Sequence, residues 1–279
     1  MTFEPRSWLF VPADSEKKIE KAIESEADAV IFDLEDSVAP QQKAAARALL
    51  KGLGKRSGGP QWWVRVNPLT SEYHKDDLEV IAKADVHGIV LPKAEGGADV
   101  TQLAHRTGNI PIHAIVTETP ASLFGMLSYR DPKSSLVAMS WGAEDLSAAL
   151  GASSKYDSDG SLSFTFKLAR SLCLAAAVAA GVQPVDGVFA DFKDEDGLLA
   201  EARAAAREGF TGKLAIHPNQ VGAINAAFTP SADEVAHARA IVEAFDAEPD
   251  AGVLSVGGRM VDRPHLVQAR RVLERSRGD

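Results

Sequence analysis

The chain lacks most of the features that mark specialised protein classes. One cysteine in 279 residues excludes a disulfide framework. That cysteine, Cys173, sits in the apolar run LARSLCLAAAVAA, where a buried thiol is inert rather than nucleophilic. Positive charge is in deficit: 30 Lys and Arg against 39 Asp and Glu give a net charge of −9. This argues against nucleic acid as the main partner, while leaving room for a local basic patch that meets a phosphorylated ligand. No stretch reaches the roughly 18 uncharged apolar residues of a membrane span, and the opening MTFEPRSWLF lacks the basic-then-apolar order of a signal peptide. A soluble cytoplasmic protein with no membrane partner is expected. The seven histidines show neither HExxH nor paired spacing, so no zinc site is indicated. GxGxxG, P-loop and GxSxG signatures are absent as well.

What is present is a repeated alternation. Apolar runs of strand length at 7–13, 29–35, 62–67, 88–93, 112–118, 136–142, 184–191 and 213–218 are separated by helical stretches. Among these are 15–25, 41–50, 72–84, 98–106, one opening at Thr119-Pro120, and an alanine-rich one over 164–180 that stops at Gly181. Eight strands alternating with helices point to an α/β fold, a TIM (β/α)8 barrel over residues 1–230. Residues 231–279 fall outside the alternation. They read as an amphipathic helix, a hairpin over 252–261 with Gly257-Gly258 at its turn, and a closing basic helix.

In a TIM barrel the reacting groups stand at the carboxyl ends of the strands. Collecting the tips gives Asp33, Glu35 and Asp36 from the second strand, Arg65 from the third and Lys93 from the fourth. Glu118, Asp145, Asp191 and His217 follow from the fifth to the eighth. Hard oxygen donors without thiolates or paired histidines suit Mg2+ or Mn2+, and Glu118 with Asp145, on adjacent tips, is the best pair. An arginine beside such an ion can grip a carboxylate through two hydrogen bonds, which fits a 2-oxo or 2-hydroxy acid. Arg65 has a second reading, as the neutraliser of the acids on the second strand. Lys93 reads equally as a structural ion-pair partner, and Asp191 as structural. Lys17 and Lys18 lie in a helix first turn, where cations oppose the helix dipole; they either meet an anion or are simply solvated.

RSWLFVPA, DLEDSVAP with Lys43 and Arg47 beyond it, VRVNPL, VLPK, TETP, GAEDL, GKLAIHPNQ and GGRMVDRP occur here in order, over residues 6 to 275. In this the chain resembles the citrate lyase β-subunit-like group of the HpcH/HpaI aldolase superfamily. The resemblance implies a homotrimer or a multiple of it, Mg2+ on Glu118 and Asp145, and an oxo-acid carboxylate on Arg65. The turn made by Gly142, Ala143, Glu144 and Asp145 would support that carboxylate. Relatives make or break a C–C bond between an acyl thioester and a 2-oxo acid, so coenzyme A enters as part of the substrate. Arg6, Lys17, Lys18 and His217 are the expected CoA contacts. Asp262, within GRMVDRP, would close over a neighbouring subunit's site, and with Arg65, Glu35 and Asp36 completes the expected catalytic set. The implied reaction is cleavage of citramalyl-CoA or malyl-CoA to acetyl-CoA and pyruvate or glyoxylate. Hydrolysis of malyl-CoA, a citrate lyase β-subunit role and aldol chemistry on free pyruvate are the alternatives.

Overall fold

In the computed structural model, residues 4–54, 58–130 and 135–276 are described. They divide into two compact units, split between Asn225 and Ala226. The first unit runs β1 (Ser7–Pro12), α1 (Glu16–Ile23), β2 (Ala29–Asp33), α2 (Lys43–Gly52), β3 (Gln61–Arg65), α3 (His74–Ile81), β4 (Gly88–Leu91) and α4 (Gly97–Thr107). It continues with β5 (Ile112–Ile115), α5 (Ser122–Gly125), β6 (Leu136–Ser140), α6 (Ala143–Leu150), α7 (Phe164–Ala180), β7 (Gln183–Asp186), α8 (Glu195–Glu208), β8 (Gly212–Ala215) and the start of α9 (Val221–Phe228). The eight strands form one closed parallel barrel in sequence order, with β8 pairing back to β1. This is the TIM barrel that the alternation predicts.

Side chains alternate across a strand, so every second residue faces the barrel interior. The interior cluster contains Trp8, Ala29, Ile31, Trp63, Val90, Ile115, Ala138, Val185 and Leu214. Trp8 meets Trp63 edge-on at 4.9 Å and His113 edge-on at 4.6 Å. Burial pulls His113 down to about 3, so its ring is neutral and packs as one more aromatic. Trp63 fits because its partner in register is Gly88, where a Cβ would stand 2.1 Å from the indole. The same alternation carries the interior face up to the rim. Asp33 follows Ala29 and Ile31, Arg65 follows Trp63, and the two are register partners across β2 and β3. The Arg65 guanidinium lies over the Phe10 ring at 4.7 Å. An arginine inside an apolar strand is thus the top layer of the barrel filling.

The strands are shorter than the apolar runs. β7 ends at Asp186 rather than Asp191. A Cβ on the next residue, Gly187, would lie 2.9 Å from the Trp141 indole nitrogen, and Asp191 is exposed in the following loop. α6 begins at Ala143, after only Trp141 and Gly142 beyond β6, and α9 follows β8; the apolar pattern alone placed neither.

The second unit holds α10 (Ala232–Ala247), the antiparallel pair β9 (Val253–Val256) and β10 (Arg259–Asp262), and α11 (Arg263–Arg275). Gly257 and Gly258, at φ 58° and 76°, make the hairpin turn, which needs two positive φ angles in succession. Ala238, Ile241, Phe245, Val261, Leu266 and Ala269 form a core of its own. Among the described residues no helix is long and apolar enough to cross a membrane.

Candidate active site

At the rim, Asp33 accepts from Nε and Nη2 of Arg65, both at 2.7 Å. Its two oxygens also take the backbone N–H groups of Glu35 and Ser37, so Asp33 shapes the β2 tip as well as holding Arg65. Burial would raise this carboxyl; the Arg65 charge and these hydrogen bonds outweigh it and hold Asp33 below its ordinary range. Arg65 also pairs with Glu35 Oε2 at 3.0 Å. Both readings of Arg65 are therefore compatible: it neutralises the β2 acids and still stands at the mouth of the barrel.

Lys93 closes the ring. Its Nζ lies 2.5 Å from Glu35 Oε1, 3.1 Å from Asp36 Oδ2 and 3.2 Å from Asp145 Oδ1. Its backbone N–H donates to Glu118 Oε2 at 2.5 Å. Glu118 is almost fully enclosed, and its carboxyl is pushed up to about 8 by burial, then by the charges of Glu35 and Asp145. Burial likewise raises Glu35, against the opposing pull of Arg65 and Lys93. Gly142 gives Glu118 its space: a Cβ there would sit 2.6 Å from Glu118 Cγ. The Gly142 N–H is fixed by Thr117 Oγ1 at 3.1 Å, at the uncapped start of α6.

Beneath the β2 tip lies a buried polar network. Lys43 Nζ donates to the carbonyls of Leu34 and Glu35 and to Asn67 Oδ1, at 2.7, 3.0 and 2.8 Å. Asn67 donates to Asp77, which also accepts from Arg47 Nε at 2.8 Å. A cavity of about 380 Å3 opens above it, lined by Glu35, Asp36, Lys43, Asn67, Tyr73 and Lys93.

Of the expected site residues, Glu35, Asp36, Arg65, Glu118, Gly142 and Asp145 are brought together, with Lys93 at their centre. Ala143 opens α6 beside Gly142, but Glu144 turns out to solvent and pairs with Lys155. Lys17 and Lys18 lie exposed in the first turn of α1, which starts on the rim side of β1. His217, two residues past β8, stacks on Phe192 at 4.9 Å, and its Nδ1 accepts the Asn219 N–H. Arg6 is not at the rim. It precedes β1, at the opposite end of the barrel, and Nε and Nη2 grip both oxygens of Asp28. Asp262 belongs to the second unit, where it caps α11 and meets His265 Nδ1 at 2.5 Å. Sequence reasoning left Lys93 outside the expected catalytic and binding set and gave Lys43 and Asn67 no role. Only the terminal position of Lys93 in VLPK could have marked it.

The arrangement has five rim carboxylates (Asp33, Glu35, Asp36, Glu118, Asp145) facing two cations, Arg65 and Lys93. Carboxylates outnumber cations, and burial together with the Glu35 and Asp145 charges disfavours the ionised form of Glu118. Among the described residues no three His, Cys, Asp or Glu side chains converge as a ready metal cage. Two carboxylates with the remaining positions left to water and substrate is how proteins commonly hold Mg2+. Glu118 and Asp145 fit that pattern.

Fold and rim together define a TIM-barrel enzyme with its reacting groups at the carboxyl ends of the strands. Residues 6–218 match the HpcH/HpaI aldolase/citrate lyase family. The chain is 38% identical over 275 residues to (3S)-malyl-CoA thioesterase of Cereibacter sphaeroides, covering 97% of this chain and 94% of that protein. It is 32% identical over 292 residues to the mitochondrial citramalyl-CoA lyase of Rattus norvegicus, covering 96% and 85%. Among solved structures, CitE from Mycobacterium tuberculosis in complex with magnesium, acetoacetate and coenzyme A superposes with a TM-score of 0.84. It is 37% identical, with 97% of each chain covered. The chain belongs to the HpcH/HpaI aldolase/citrate lyase family.

Proposed function

We propose that the protein is a Mg2+-dependent acyl-CoA carbon–carbon lyase that cleaves citramalyl-CoA or malyl-CoA to acetyl-CoA and pyruvate or glyoxylate. The observation that carries this reading is a half-buried arginine sharing one barrel mouth with two carboxylates, Glu118 and Asp145, that are short of positive charge. The magnesium, acetoacetate and coenzyme A bound by the CitE neighbour support a magnesium, oxo-acid and CoA ligand set here.

Glu118 and Asp145 would hold the ion, which when bound supplies Lewis-acid stabilisation of charge developing on the substrate oxygens. Arg65, its guanidinium plane fixed by Asp33, binds the carboxylate of the oxo-acid half. The start of α6 from Ala143 onward, which no side chain caps, adds backbone N–H donors to it. Glu35 or Asp36 takes the proton from the 3-hydroxyl, a role supported by their position at the barrel mouth beside Lys93. As the C–C bond breaks, its electron pair passes to the thioester carbon as an enolate. Asp262, from a neighbouring subunit of a homotrimer, returns a proton there. Lys17, Lys18 and His217 meet the CoA portion at the rim, in a cytoplasmic enzyme. Asp262→Asn is expected to lose most turnover while still binding the thioester; full turnover would remove Asp262 from the mechanism.

Thioester hydrolysis is the second reading, favoured by the 38% identity to a malyl-CoA thioesterase. The test is product analysis with Mg2+ and (S)-citramalyl-CoA or malyl-CoA. Acetyl-CoA in step with the oxo acid establishes the lyase, and free CoA without oxo acid establishes the hydrolase. No turnover of either thioester overturns both.

A further inference from the structure

Lys93 carries an unusual combination of features. Its backbone is left-handed, at φ 53°, although it is not a glycine. For a residue with a Cβ this conformation is strained. In this conformation its N–H meets Glu118 Oε2, while its ammonium reaches Glu35, Asp36 and Asp145 within 3.2 Å. One residue therefore touches both carboxylates assigned to the cation, one through its backbone and the other through its side chain. An ammonium and a divalent cation drawing on the same Asp145 carboxylate repel each other. At a partly enclosed barrel mouth this repulsion is screened less than in bulk water.

We infer that Lys93 is a positioning residue that tempers the rim's hold on its divalent cation: its ammonium spans Glu35, Asp36 and Asp145 and competes with the cation for Asp145, while its left-handed backbone fixes Glu118. The inference rests on the assignment of Mg2+ to Glu118 and Asp145. It follows that removing the charge while keeping the backbone strengthens cation binding, even as the ring loses the group that aligns it for turnover.

The test is calorimetric titration of full-length wild type, Lys93→Met and Lys93→Arg with Mg2+ alone, each with its thermal unfolding recorded. Lys93→Met is expected to bind Mg2+ at least about fivefold more tightly than wild type, and Lys93→Arg to stay within about twofold. Equal or weaker binding by a folded Lys93→Met overturns the inference. Should that variant fail to fold, Lys93→Gln is read by the same criterion. Wild-type protein without saturable Mg2+ binding would instead overturn the Glu118–Asp145 assignment. Wild-type binding with no gain in the neutral variant defeats only the role given to Lys93.

Discussion

Glu118 and Asp186 are both buried carboxylates beyond or at the ends of strands in one barrel, and their surroundings drive them in opposite directions. Asp186 faces outward from β7. It meets Lys213 Nζ at 2.8 Å, Arg170 Nε at 2.8 Å and the Trp141 indole N–H at 2.8 Å. Burial alone would raise it; the Lys213 and Arg170 charges prevail and bring it to about 2. Glu118 has one backbone donor from Lys93, and Arg65 acts on it only as a weaker, opposing charge. With carboxylates on either side, it is pushed up to about 8. The first cluster completes itself with the chain's own cations, so it can serve as a clamp between the barrel wall and α7. The second is left short of positive charge. Two carboxylates of similar burial therefore differ in what surrounds them, and the deficit at Glu118 is what motivates the proposed cation site.

Mutations should separate the two regions. The largest effect is expected from Arg65→Ala, which removes the proposed oxo-acid partner and the cation paired with Asp33: a loss of about 10³-fold or more in kcat/KM, read by steady-state kinetics. Asp186→Asn should act on the clamp alone. It leaves Lys213 with Glu201 and Arg170 with Glu208 as their remaining carboxylate partners, and is expected to destabilise the fold by about 2–3 kcal/mol in denaturant titration, with turnover per folded molecule unchanged. Gly142→Ala should shift Glu118 by steric contact. It is expected to weaken Mg2+ binding about 10- to 100-fold, with a much smaller effect on unfolding.

The smallest effect is a difference in acid response. The Asp186 pKa is depressed on folding, so its contribution is complete above about 4, the unfolded value, and is lost as pH falls through about 2. Wild type should lose about 2 kcal/mol more than Asp186→Asn across that window. Parallel acid-unfolding curves would place the clamp's strength elsewhere.

Much of the rim was legible because strand alternation is rigid. Trp63 and Arg65 share a face, and so do Ile31 and Asp33, so the acids and the arginine had to meet at the barrel mouth. Glu118 and Asp145 followed from adjacent tips. What escaped depended on register and on burial of polar groups. VFAD after Asp186 reads as more strand, and only the contact of Gly187 with Trp141 shows why the sheet stops. Arg6 reads as a basic residue near a site, but the pairing of Trp8 with Ala29 sets it beside Asp28 at the far end. Lys43 opens an amphipathic helix, where a lysine normally reaches water. Its burial depends on Leu34, Glu35 and Asn67 converging from two other segments. Glu144 and Asp145 are neighbours in sequence, yet the start of α6 turns one toward Lys155 and the other toward Lys93.

The central claim is that the rim's missing charge is a divalent cation held by Glu118 and Asp145. The most direct measurement is Mg2+ titration of the purified protein beside Glu118→Gln, Asp145→Asn and Asp186→Asn. One saturable site per chain is expected in wild type and in Asp186→Asn, and none in the two rim variants. Binding that survives both rim substitutions, or disappears with Asp186→Asn while that variant remains folded, would contradict the account.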